Sequence, residues 1–201
     1  MNKFSKIHQC IGPLLVSIGC AVSPVVAAQS SPEMPMQLYL TITETIAPTH
    51  SDPDRCPADS GAMGIGMVAG SGIMNVATGP GPKIVTLPVI FASSDCPNPA
   101  FQFSYGAFML TTPTGHQLYA NYYGGFYSTN ETTLMLDPGR SVFVLSGGTG
   151  YFAGASGRGT LGGYESILRT QPSFLGFGNM EAKGTITFKN PGFAQRFMNN
   201  R

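Results

Sequence analysis

Residues 38–46 alternate between apolar and polar: Leu38, Leu40, Ile42 and Ile46 fall on one side, and Tyr39, Thr41, Thr43 and Thr45 on the other. Successive side chains of a β-strand point to opposite faces, so a period of two predicts a strand with one buried face. The pattern returns at residues 180–189, where Met180, Ala182, Ile186 and Phe188 oppose Glu181, Lys183, Thr185, Thr187 and Lys189. Between these segments strands are predicted at 83–92, 101–111, 116–129, 131–136, 142–145 and 158–168, separated by turn residues. Pro88, inside one of them, predicts an edge or a bulge there. The 26 glycines and 16 prolines of the chain are costly inside helices, which leaves an all-β domain as the expectation. Short strands with one apolar face each suit an antiparallel sandwich or a closed barrel. The barrel is favoured, because closure leaves no exposed edge in a chain that is only 10% charged.

Residues 1–28 read as a signal peptide. Lys3, Lys6 and His8 make a basic start, residues 11–22 are an apolar run, and Val26, Ala27 and Ala28 offer small residues for cleavage. Export to the periplasm or the medium is expected, with no stable membrane span after cleavage. Lipoprotein processing at Cys20 is an alternative, although Ser17 stands where such signals usually carry Leu. Residues 29–36 follow as a flexible lead-in, 37–189 as the β-domain, and 190–201 as a tail whose Phe193 and Phe197 permit one helical turn.

Cleavage would remove Lys3 and Lys6 and no acid, taking the formal charge from +1 to −1. No basic stripe is left for a nucleic-acid backbone. Cys56 and Cys96 survive cleavage, and two cysteines in an exported chain are most simply one disulfide. Nothing in the sequence specifies an oligomeric state, a cofactor or a metal. His50, Asp52 and Asp54 could offer ligands to a cation, but the segment reads as a polar loop tied by the disulfide. The glycines at 64, 66 and 70 fail as a phosphate loop, since no helical period follows them.

Residues 147–157, GGTGYFAGASG, resemble the G-G-T-G-x-F-x-x-A-x-G signature of the allene oxide cyclase and dirigent barrel superfamily, most closely its bacterial exported members. The hairpin before it, residues 101–130, matches more loosely. The resemblance implies an eight-stranded antiparallel closed β-barrel. It does not carry a catalytic set. Plant allene oxide cyclases place a glutamate and an asparagine just after a tyrosine on the first strand, whereas Leu40, Thr41 and Ile42 follow Tyr39 here. Dirigent proteins usually carry an arginine where this chain has Ser156; Arg158 is two residues on.

A serine or cysteine hydrolase is not expected. The chain beyond residue 28 holds His50 and His116 in no recognisable motif, and Arg158 occupies the last place of what would be a G-x-S-x-G elbow around Ser156. Glu44 and Glu165 are the candidate catalytic residues, because Glu44 shares the face of Leu40 and Ile46, and Glu165 that of Leu161 and Ile167. Either glutamate sits at a barrel mouth, in water or beside Arg158 or Arg169, or it enters the apolar interior. Inside, desolvation would raise its pKa and suit it to acid or base work. Leu40, Ile42, Tyr122 and Phe126 are the candidate cavity residues, and Phe152, framed by glycines, the candidate plug of one barrel end. Tyr105, Tyr119, Tyr122, Tyr123 and Tyr127 form either a ligand wall or ordinary β-surface packing. The functional expectation is a non-enzymatic exported barrel binding a small apolar ligand or a partner surface. A cyclase or isomerase with a cavity carboxylate is the alternative. Both ligand readings need interior space that Met, Phe and Leu side chains do not fill.

Overall fold

The computed structural model describes residues 32–47, 56, 64–78, 83–98, 100–170 and 173–189. The signal segment, the His50, Asp52 and Asp54 loop and the tail beyond 189 lie outside them. Nine strands run in order: β1 (Met34–Ala47), β2 (Ile65–Ala77), β3 (Ile84–Pro97), β4 (Gln102–Thr111), β5 (Gln117–Asn130), β6 (Thr133–Leu136), β7 (Val142–Gly148), β8 (Ser156–Arg169) and β9 (Phe174–Thr187). Every pairing is antiparallel.

The hydrogen-bonded order runs from β4 through β3, β2, β1 and β9 to β8, and β5 closes back on β4. One place remains, between β5 and β8, and two short strands share it. β6 pairs with residues 126–130 of β5 and 163–166 of β8. β7 pairs with residues 118–123 of β5 and 157–160 of β8. The result is one ring of eight staves, which excludes a two-sheet sandwich. The ring is sealed by β1 against β9, from Met34 opposite Ile186 to Ile46 opposite Phe174.

β1 keeps the predicted faces: Leu38, Leu40, Ile42, Glu44 and Ile46 are buried, and the intervening residues exposed. The inner row begins earlier than the sequence pattern suggests, since Met34 and Met36 are also buried. Residues 34–36, read as part of a lead-in, are therefore strand, held by β9 on one side. β2 shows the opposite lesson. Its Met67 and Ile73 are exposed, while Gly66, Val68, Met74 and Val76 face inward. Pro88 sits on β3 where that strand has β2 as neighbour but has not yet met β4, whose pairing starts at Ile90. Its missing N–H removes no ladder bond on that open side.

The inner faces form two apolar clusters. The main one gathers Leu38, Phe91, Phe108, Phe143, Phe152 and their neighbours; each large side chain fully buried there contributes about 1.5–3 kcal/mol by area. A smaller cluster of Ile46, Leu134 and Phe174, with Phe101, Phe126 and Ile167 packed on it, lies further along the same strands. Polar groups occupy the level between the two. Phe152, in a 3-10 turn at Gly150–Phe152, is fully buried and stacks on Phe188 at 6.0 Å between ring centroids.

Candidate functional site

Glu44 lies on the inner row of β1 between Ile42, of the main cluster, and Ile46, of the smaller one. Glu165 holds the equivalent level on β8. β9 runs between these strands, and its residues at that level are glycines: Gly176 faces Glu44 and Gly178 faces Glu165. No side chain separates the two acids. The Glu165 side chain crosses the vacancy at Gly176, where an added Cβ would fall on its carboxyl, and the carboxyl groups of Glu165 and Glu44 come within hydrogen-bonding reach.

A third acid joins them from β3. Asp95 stands opposite Gly66 of β2 and Gly106 of β4. A Cβ on Gly66 would strike Asp95 Oδ1 and lie 3.0 Å from Glu44 Oε1, so both carboxyls border the same vacant point. The Tyr122 hydroxyl on β5 donates to Asp95 Oδ2 at 2.8 Å, with Ser93 Oγ 3.3 Å from the phenol oxygen. One phenol proton serves one acceptor at a time, and the shorter contact takes it. The Tyr122 ring extends over Gly106, which has no side chain to obstruct it.

All three acids are buried, Glu165 completely and Glu44 and Asp95 to within 5% of full cover. Neither the water of a barrel mouth nor Arg158 or Arg169 reaches the glutamates; Arg158 and Arg169 are exposed. Among the described residues no Lys, Arg or His is buried with them. Asp95 Oδ1 and both Glu165 oxygens receive no hydrogen bond from an N–H or O–H donor. Glu165 and Glu44 can bond only if one carries a proton, because two ionised carboxylates have no donor between them.

Electrostatics follow from this placement. Burial, and after it the charges of Glu165 and Asp95, pushes Glu44 well above the ordinary carboxyl range. Burial raises Asp95 to about 6, against the opposing effect of the Tyr122 hydrogen bond. Glu165 is raised by burial and the charge of Asp95, while its bond to Glu44 works the other way. Tyr122 is held as the neutral phenol, its pKa raised by burial and then by the charge of Asp95. Burial and mutual repulsion thus make the two glutamates hold one proton between them rather than ionise together. Two carboxyls at contact distance retain a shared proton for the same reason elsewhere.

The acid layer borders a void of about 20 Å³, walled by Ile42, Phe91, Phe103, Phe108, Tyr122 and Phe126 among others. A void needs roughly 10–15 Å³ to admit a water-sized group, so this one takes little more than that. The space a ligand-sized cavity requires, some 300 Å³ or more, is filled by the Met, Phe and Leu side chains of the core, so the open interior that both ligand readings required is absent and an interior ligand enters only if side chains move aside. Ile42, Tyr122 and Phe126 border the void as candidate cavity residues. Leu40 does not: it is buried nearer an outer groove that it shares with Met180, Tyr39 and Tyr164. The tyrosines of the central hairpin form no interior wall. Tyr105, Tyr123 and Tyr127 are exposed, and Tyr122 alone of the five is buried.

Cys56 and Cys96 form the expected disulfide, with Cα atoms 5.6 Å apart. It anchors Cys56 next to Asp95, and both border a second, outer pocket. Among the described residues no helix is long and apolar enough to cross a membrane. The sequence reading missed Asp95, Ser93 and the glycines that face them. The available signal was the register Val89, Phe91, Ser93, Asp95, which continues the inner row of β3 past the point where its apolar character ends.

No family model matches the chain, and no curated protein matches it. Among solved structures the chain is similar to a pterocarpan synthase dirigent protein, with 12% identity and a TM-score of 0.39 over 90% of this chain and 100% of that one.

Proposed function

We propose that the protein is an exported, non-enzymatic β-barrel of the dirigent-like type that binds a small apolar ligand, with the ligand's polar group at the acid layer. The signal-like residues 1–28 and the Cys56–Cys96 disulfide support export. The ring of eight staves and the glycine signature at 147–157 support the barrel type. The observation that carries the binding role is the burial of three carboxyls together without a basic partner. Folding alone gains nothing from that arrangement, since each unpaired buried acid is costly and an apolar side chain would pack there without penalty. Phe126 and Met180, both half-buried, border the void. Their rotation makes room for the ligand's body, and methionine is well suited to such repacking.

The test is native mass spectrometry of the mature, disulfide-intact protein isolated from its own host, joined to titration with apolar fluorescent probes. The expected result is a small-molecule adduct released on unfolding, and a probe that competes with it. No adduct and no probe binding would refute interior binding and shift the role to a partner surface, where the groove beside Tyr39, Ile73 and Tyr164 is the place to look.

One observation favours a second reading, a cyclase or isomerase acting on a small apolar substrate. The buried Glu44–Glu165 pair keeps a proton between two carboxyls, and such a pair is what a general acid and base require. Glu44→Gln and Glu165→Gln separate the readings: turnover of an identified ligand lost in both, with binding retained, establishes the enzyme. Turnover unchanged in both eliminates it.

A further inference from the structure

We propose that the polar group received at the acid layer is a cation, the ammonium head of a small amine. The inference rests on the ligand-binding reading above and names the ligand class. What the layer lacks is donors. Asp95 Oδ1, at the edge of the void, is a buried acceptor with no N–H or O–H to satisfy it, and of the two Glu165 oxygens at most one is served, by the proton shared with Glu44. A neutral ligand presenting a carbonyl or ether would add another acceptor to a site already short of protons. A primary ammonium brings three N–H donors and the opposite charge on one water-sized atom, which is the size of the void of about 20 Å³.

The surroundings point the same way. The titratable groups facing the layer are Glu44 from β1, Asp95 from β3, Tyr122 from β5 and Glu165 from β8. The neighbouring elements present apolar side chains or glycine: Val68 and Gly66 from β2, Phe108 from β4, Leu136 from β6, and Met180 and Gly176 from β9. No basic group among the described residues supplies the missing charge. The walls are aromatic, with Phe103 edge-on to Tyr122 at 5.2 Å and Phe108 6.0 Å from the same ring. Aromatic faces attract a cation that has left water.

Protons compete with the amine for the same oxygens, so binding releases protons and strengthens as the layer ionises. The experiment compares benzylammonium with its neutral isostere benzyl alcohol by calorimetry on the mature, disulfide-intact protein. Buffers of differing ionisation enthalpy report proton release. Benzylammonium is expected to bind at least about tenfold more tightly than the alcohol near about pH 8, with the preference lost near about pH 4.5, where the carboxyls are protonated. Asp95→Asn, at the edge of the void, should remove most of the preference at the higher pH, and Glu165→Gln is the second variant should the first fail to fold. Equal binding of amine and alcohol, or a preference that does not change with pH, would overturn the cationic assignment while leaving an interior site. Binding of neither probe would overturn the ligand-binding reading and this inference with it.

Discussion

Raising the pH from about 4 to about 7 should destabilise this protein, opposite to the usual behaviour of a chain whose carboxylates are salt-bridged. Asp95 allows the size to be worked. Its carboxyl moves from the usual 3.8 to about 6 on folding, chiefly through burial. A group whose folded pKa is raised holds its proton more tightly in the folded state. Its contribution is whole below the unfolded value and is lost as pH climbs through the folded one. At about 1.4 kcal/mol per pH unit, the loss from Asp95 alone is about 3 kcal/mol, complete a little above pH 6. Glu44, held well above the carboxyl range beside Glu165, carries the decline to higher pH. Urea unfolding of the mature, oxidised protein at a series of pH values measures this directly, provided the slope with denaturant stays constant. Asp95→Asn should flatten the lower part of the curve. A midpoint that is level or rises between about pH 4 and pH 7 would show that the three carboxyls do not share a dry interior.

Phe152→Ala should cost about 3–5 kcal/mol, because the ring is fully buried against Phe188; a change within about 1 kcal/mol in the same assay would show that it plugs nothing. Gly176→Ala should cost about 1–3 kcal/mol by driving a methyl group into the Glu165 carboxyl. Adding Glu165→Ala should return part of that loss, and additive effects in the double mutant would place Glu165 elsewhere. Thiol titration of the unreduced, signal-cleaved protein should find no free cysteine. Reduction should lower stability by about 3–4 kcal/mol for a loop of this length, and a reduced protein of unchanged stability would contradict that estimate.

Eight of the nine strands and the two glutamates were legible in the sequence, whereas β2 was not, because its glycines and outward Met67 and Ile73 hide the alternation. Glu44 stands in register with Leu40, Ile42 and Ile46, so any strand that buries those residues must bury it too. Asp95 escaped because Ser93, Ser94 and Asp95 have the composition of a loop, and only pairing with β2 and β4 keeps them in the sheet. Gly66 and Gly176 were invisible for a deeper reason. A glycine's absent side chain has meaning only relative to what a neighbouring strand puts there, and no periodicity along one strand records that. The hairpin tyrosines misled in the other direction, since aromatic residues suit either face of a sheet. The small volume left inside could not be read at all, because it depends on how side chains from every stave meet at the centre.

The pairing of β1 with β9 joins the first described strand to the last. A growing or emerging chain therefore presents β1 with one side open until residue 174 and beyond have appeared. Such distant contacts make assembly slow, since the largest loop must close before its reward arrives. During that interval β1 offers Leu38, Leu40 and Ile42 beside an unpaired backbone, a combination that invites association with other chains. A chain ending before β9 should accumulate as aggregate rather than as a smaller folded body, and a chaperone that shelters this protein has one strand to guard.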